Sequence, residues 1–102
     1  MLSVVYISSR DAQEARLLAR TLVEERLVAC VNSWPISSTF RWEGRVEEGQ
    51  EVALLCKTQS SLVPAVLKRA KELHSYEVPC ITAWPIGTGN PDYLDWVGRE
   101  TG

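Results

Sequence analysis

Residues 27–58 read "LVACVNSWPISSTFRWEGRVEEGQEVALLCKT", and the fold turns on how many strands this stretch holds. "LVACVNSW" (27–34) is an apolar run too short for a helix. Pro35 interrupts it, a residue tolerated at a sheet edge or a bulge but not inside a central ladder. "SSTFRWEG" (37–44) resumes strand character, and "EGRVEEG" (43–49), with glycines at both ends, predicts a bent or hairpin connection. "EVALLCKT" (51–58) is nearly continuous in apolar residues from Val52 to Cys56, as in a strand covered on both faces. The stretch therefore predicts an antiparallel pair of strands.

A helix is predicted on each side of that pair. Upstream, "LSVVYIS" (2–8) is β-branched and aromatic and reads as a first strand. Asp11 stands three residues before Glu14, a capping-box spacing, and Ala15, Leu18, Ala19, Leu22 and Val23 follow on one helical face. Downstream, Ser60 or Ser61 can cap a second helix with Pro64 in its first turn. Val63, Val66, Leu67, Ala70 and Leu73 form its apolar stripe. Pro79 holds Val78 extended, "CITAWPI" (80–86) reads as another strand, and Asn90 with Pro91 opens a short last helix over "PDYLDWV". Two long helices around an antiparallel pair predict an α+β protein: a ferredoxin-like split βαβ sandwich with an antiparallel sheet and a short C-terminal helix. Both long helices would cover one face of the sheet. The other face then needs a cover, and a second copy of the chain is the simplest one.

The 102 residues suit a single domain, 1–102, and 45% hydrophobic content supports a packed core. Charge is −2, with 11 basic and 13 acidic residues dispersed along the chain, so no electrostatic footprint for nucleic acid or an anionic membrane exists. The start, "MLSVVYISSRDAQE", lacks a signal-peptide pattern, and no stretch reaches the ~20 apolar residues of a membrane span. Cys30, Cys56 and Cys80 share no C-x-x-C spacing and are expected as buried free thiols in a reducing cytoplasm.

"ELHSYEVPC" (72–80) contains the single histidine, His74, with Glu77 and Cys80 at steps of three. On a helix Cys80 would lie about 240° around from His74, at ~100° per residue, and Pro79 forbids that helix. On a strand the steps alternate faces. The trio is therefore not expected to form a metal site within one segment, and His74, just past the last apolar residue of the second helix, would suit the negative end of its dipole. There is no nucleophile-elbow motif, phosphate loop or motif-spaced carboxylate pair, so no enzyme is predicted.

Five blocks, "ARTLVEERLVACVN" (19–32), "FRWEGRVEE" (40–48), "EVALLCKT" (51–58), "ELHSYEVP" (72–79) and "NPDYLDWV" (90–97), together resemble the CutA family of divalent-cation tolerance proteins. The resemblance implies a cytoplasmic homotrimer, PII-like in plan, that binds metal or a small ligand in the cleft between subunits rather than catalysing a reaction. The alternative it leaves open is a PII-like small-molecule sensor. It places Trp42, Glu43, Lys57, Tyr76, Glu77, Tyr93 and Trp96 in that cleft, with His74 as the metal residue. The cofactor it implies is copper or another divalent cation, not required for folding, and it implies neither nucleic acid nor membrane as a partner. The first strand here lacks the cysteine of copper-binding members, Leu73 precedes the single His74, and Ser75 replaces the proline of the family's "H-P-Y" block.

Overall fold

The computed structural model describes residues Met1–Gly102. Its elements run β1 (Leu2–Ser9), α1 (Ala12–Glu24), β2 (Cys30–Trp42), β3 (Arg45–Gln59), α2 (Val63–Leu73), β4 (Ile81–Pro85) and α3 (Pro91–Arg99), with a single 3₁₀ turn at Ser60–Leu62 before α2. The four strands form one antiparallel sheet in the order β2-β3-β1-β4.

α1 begins as its capping spacing predicts, with Asp11 Oδ1 accepting from the Glu14 N–H at 2.9 Å. The Glu14 carboxylate does not close a box onto Asp11 but accepts from the Arg10 N–H, also at 2.9 Å. Of the expected apolar face, Ala15, Leu18 and Leu22 are buried and Ala19 packs at the margin, while Val23 faces water. α2 starts at Val63 without a side-chain cap. Ser60 Oγ instead meets Ser3 Oγ at 2.6 Å, so the expected serine cap ties the turn to β1. Val66 and Ala70 are fully buried. With Val5, Ile7, Leu54 and Cys56 from the sheet they complete the core between it and the two helices.

Two strand expectations need correction. Pro35 does not split the 27–44 stretch: β2 runs unbroken from Cys30 to Trp42, and Pro35 stands in register with Val52. β2 is an edge strand, where a missing N–H can point outward and leave no ladder bond unmade. The hairpin connection expected over 43–49 is present but shorter, because residues 45–49 already belong to β3. The turn is only Glu43–Gly44, closed by the Trp42–Arg45 pair, with φ of 49° and 79° at its two central residues. Positive φ at both positions is the type I′ geometry that matches strand twist, and Gly44 suits it where Glu43 is strained.

β1 pairs only with Val52–Gln59 of β3, so the rest of the β2–β3 hairpin, Ile36–Glu51, projects past the sheet. The molecule is accordingly long, 44 × 25 × 21 Å. α3 covers the opposite end of the second sheet face, where Gln59 Nε2 donates to Gly98 O and Thr101 O. Between those ends that face is aromatic and open: Trp34, Phe40, Trp42 and Trp84 are all exposed.

Candidate functional site

A groove of about 1160 Å³ runs between the projecting hairpin and the loop after α2. Its walls include Tyr6, Phe40, Trp42, Glu47, Glu51, Tyr76, Glu77 and Cys80. Strand alternation puts Tyr6 and Glu51 on the sheet face away from α1 and α2. Tyr6 packs near Trp34 there, ring centroids 6.5 Å apart. The phenol of Tyr76 donates to Glu51 Oε2 at 2.6 Å. Burial, reinforced by that bond to a carboxylate, pushes the Tyr76 hydroxyl up to about 12, so it stays a donor at neutral pH.

The loop that presents Tyr76 is fixed from below. His74 caps α2, and its side chain is wholly buried. Its Nε2 lies 2.7 Å from Ser8 O, and its Nδ1 lies 3.1 Å from the Tyr76 N–H. A carbonyl only accepts and a backbone N–H only donates, so the ring carries its proton on Nε2 and offers its Nδ1 lone pair to Tyr76. Both ring nitrogens are occupied within the chain. In this arrangement the residue expected as the metal residue spends both nitrogens on backbone partners of its own chain.

Glu14 lies 3.9 Å from Nδ1, its side chain only 4% exposed, and accepts from the Ser75 N–H at 2.9 Å. Burial pulls its carboxyl upward. The hydrogen bonds from Arg10 and Ser75 outweigh that pull and leave it below the usual carboxylate range. The serine that replaces the family's proline thus supplies an N–H that proline lacks.

The expected site residues fall into two groups. Trp42, Tyr76 and Glu77 line the groove, with Glu43 in the exposed hairpin turn beside it. Lys57, Tyr93 and Trp96 sit at the far end of the same sheet face. Lys57 Nζ donates to Asn32 Oδ1, Tyr93 OH shares a 2.9 Å hydrogen bond with Cys30 Sγ, and the Tyr93 and Trp96 rings lie 5.7 Å apart. From Glu51 to Lys57 is six residues of β3, about 20 Å at ~3.4 Å per residue. Within one chain the groups do not meet.

The cysteines differ from one another. Cys56 is buried as expected, and burial pushes its thiol up to about 12. Cys30 is half-buried, whereas Cys80 precedes β4, is exposed and lines the groove, against the expectation of three buried thiols. Glu51, Ser8 and Tyr6 escaped the sequence reading. Glu51 opens "EVALLCKT" and looks like a solvated strand end until Tyr76 is placed beside it.

The CutA1 divalent ion tolerance protein family matches residues 3–100. The chain belongs to that family. Its similarity to the divalent-cation tolerance protein CutA of Thermus thermophilus is 48% identity over 103 residues, covering 100% of both chains. Protein CutA of Mus musculus is 44% identical over 97% of this chain, which spans 56% of the mouse protein. The structure of the periplasmic divalent cation tolerance protein CutA from Archaeoglobus fulgidus superposes with a TM-score of 0.96 at 41% identity, covering 98% of each chain. CutA proteins are named for tolerance and not for a reaction.

A divalent cation fits poorly within one chain of this CutA protein. Nowhere do three or more His, Cys, Asp or Glu side chains converge to hold a metal ion, and no buried side-chain nitrogen or oxygen lacks a partner. No helix is long and apolar enough to cross a membrane.

Proposed function

We propose that the chain acts in divalent-cation tolerance as a homotrimer, ferredoxin-like in its sheet and PII-like in plan, that binds a cation or small ligand in the cleft between subunits without catalysing a reaction. The observation that carries this reading is the separation of the candidate residues into two groups about 20 Å apart on one sheet face, at ~3.4 Å per residue along β3. Each group is incomplete alone. A neighbouring copy that laid its Lys57–Tyr93 end against the groove would join them. The exposed Trp34, Phe40, Trp42 and Trp84 add an apolar surface of the kind that subunits cover.

With His74 engaged inside its own chain, a copper or other divalent site in the cleft would draw on Glu51, Glu77 and Cys80 from more than one subunit. Carboxylate oxygen suits hard cations and thiolate suits Cu(I). An organic-anion sensor has less support, because the groove carries Glu47, Glu48, Glu51 and Glu77 against Arg41 while Lys57 lies elsewhere. Three free thiols suit a reducing compartment, and we place the protein in the cytoplasm.

Light scattering across micromolar concentrations is expected to give the mass of three chains. Titration calorimetry of Cu(II), Zn(II) and Cu(I) into reduced, metal-free protein is expected to give an isotherm weakened by Glu51→Ala and Glu77→Ala. A monomer throughout that range would overturn the trimer, and isotherms indifferent to both substitutions would remove the groove.

A further inference from the structure

The projecting half of the hairpin is bonded chiefly to itself. Beyond its ladder, Gln50 Nε2 donates to Ser37 Oγ at 3.1 Å, which again joins the hairpin's two arms. The only side-chain hydrogen bond from residues 36–51 to anything outside the hairpin is the one that Glu51 Oε2 accepts from Tyr76. Tyr76 is in turn held by backbone. Its N–H is taken by His74 Nδ1, and the N–H of the preceding Ser75 is taken by Glu14 Oε2. Glu14 uses its other oxygen on the Arg10 N–H at the β1–α1 junction. A continuous strut thus runs from the start of α1 through the 75–76 loop to the projecting hairpin.

We propose that Glu14 is a positioning residue: by anchoring Ser75 it fixes Tyr76, and through Tyr76 it sets the pitch of the hairpin and hence the width of the groove. A single carboxylate with two acceptor oxygens is suited to this task, because with charge-assisted bonds it ties the β1–α1 junction to a loop residue 61 positions beyond Glu14. The Tyr76 ring lies 4.9 Å from the His74 ring at a tilt of 51°, which further limits where the phenol can point. Beyond Val52 the hairpin joins the sheet only at its root and, apart from side-chain contacts, has no second point of attachment within the chain. The strut supplies one.

The consequence for binding rests on the groove being the binding surface, as proposed above, while the strut itself does not. Hydrogen exchange on the ligand-free protein tests it at neutral pH in the wild type, Glu14→Ala, Tyr76→Phe and the double variant. Amides of residues 36–41 and 46–51 are expected to exchange roughly tenfold faster in each single variant, the net worth of one hydrogen bond to a charged group. The double variant is expected to be no faster than Tyr76→Phe alone, because both changes break the same strut. Core amides at Val5, Ile7 and Leu54 are expected to stay slow. A rise spread evenly over core and hairpin would make Glu14 a general stabiliser and overturn the proposal, as would an unchanged hairpin. Should Glu14→Ala fail to fold, Ser75→Pro decides, since it removes one N–H at an exposed residue. It is expected to loosen the hairpin alone, and unchanged hairpin exchange in it would overturn the proposal equally. Because exchange is read without ligand, the strut can fail while the groove still binds, and an empty groove leaves the exchange result standing.

Discussion

His74→Ala separates a structural from a ligand role for the single histidine. Truncation removes the donor that Ser8 O accepts from and the acceptor that the Tyr76 N–H uses, and leaves a void where a fully buried ring stood. Two lost hydrogen bonds at roughly 1–1.5 kcal/mol each, plus a void term of about 1 kcal/mol, give a destabilisation of about 3–4 kcal/mol. For a domain of this size that is a fall in Tm on the order of 12–32 °C, at roughly 4–8 °C per kcal/mol. His74→Gln keeps an amide N–H in the place of Nε2 and should recover about half of the loss, roughly 1.5–2 kcal/mol. Urea unfolding and calorimetry at one fixed protein concentration measure the loss, the concentration being held because association shifts apparent stability. Titration of Cu(II) into the folded variants is expected to retain a saturable site, weakened at most by the loosened Tyr76 loop. An Ala variant as stable as the wild type, or one that loses a saturable Cu(II) site, would refute the assignment of both ring nitrogens.

Other outcomes follow from the same geometry. Glu14 has its carboxyl held below the ordinary value of 4.5, so its contribution is complete above that pH and is lost as pH falls through its lower folded value; Glu14→Gln should flatten the acid limb of the stability–pH curve. Glu43 sits at φ 49° before Gly44, and Glu43→Asn should stabilise by roughly 0.5 kcal/mol in urea unfolding, since Asn-Gly is preferred in a type I′ turn. A thiol reagent applied to native protein should modify Cys80 readily and leave Cys56 untouched until unfolding, because Cys56 is buried and its thiol is pushed up to about 12.

The helices were legible because each carries its own signals: Asp11 and Asn90 cap as their spacing requires, and the buried faces of α1 and α2 follow the helical period. The hairpin was less so. In "EGRVEEGQ" both faces of the projecting strand meet solvent, so the apolar alternation that marks a half-buried strand is missing, and the charges read as a loop. Pro35 suggested a break because position in the sheet, edge or centre, is a tertiary fact. In the site, Tyr76 and Glu77 were found, but their partner Glu51 was not, since the Tyr76–Glu51 bond joins residues 25 apart that only the fold brings together. Likewise the environment of His74 depends on Ser8, 66 residues away.

The two prolines at the sheet's margins restrict how copies of this chain can add to one another. β2 carries Pro35 midway along one edge, and β4 ends in Pro85 on the other. A strand laid along β2 meets a backbone position that cannot donate and a ring that keeps it away, so its ladder ends there. The short β4 edge offers little beyond it. Each edge of the sheet thus carries one backbone position that cannot donate to an added strand, a local check on continuous edge-to-edge pairing.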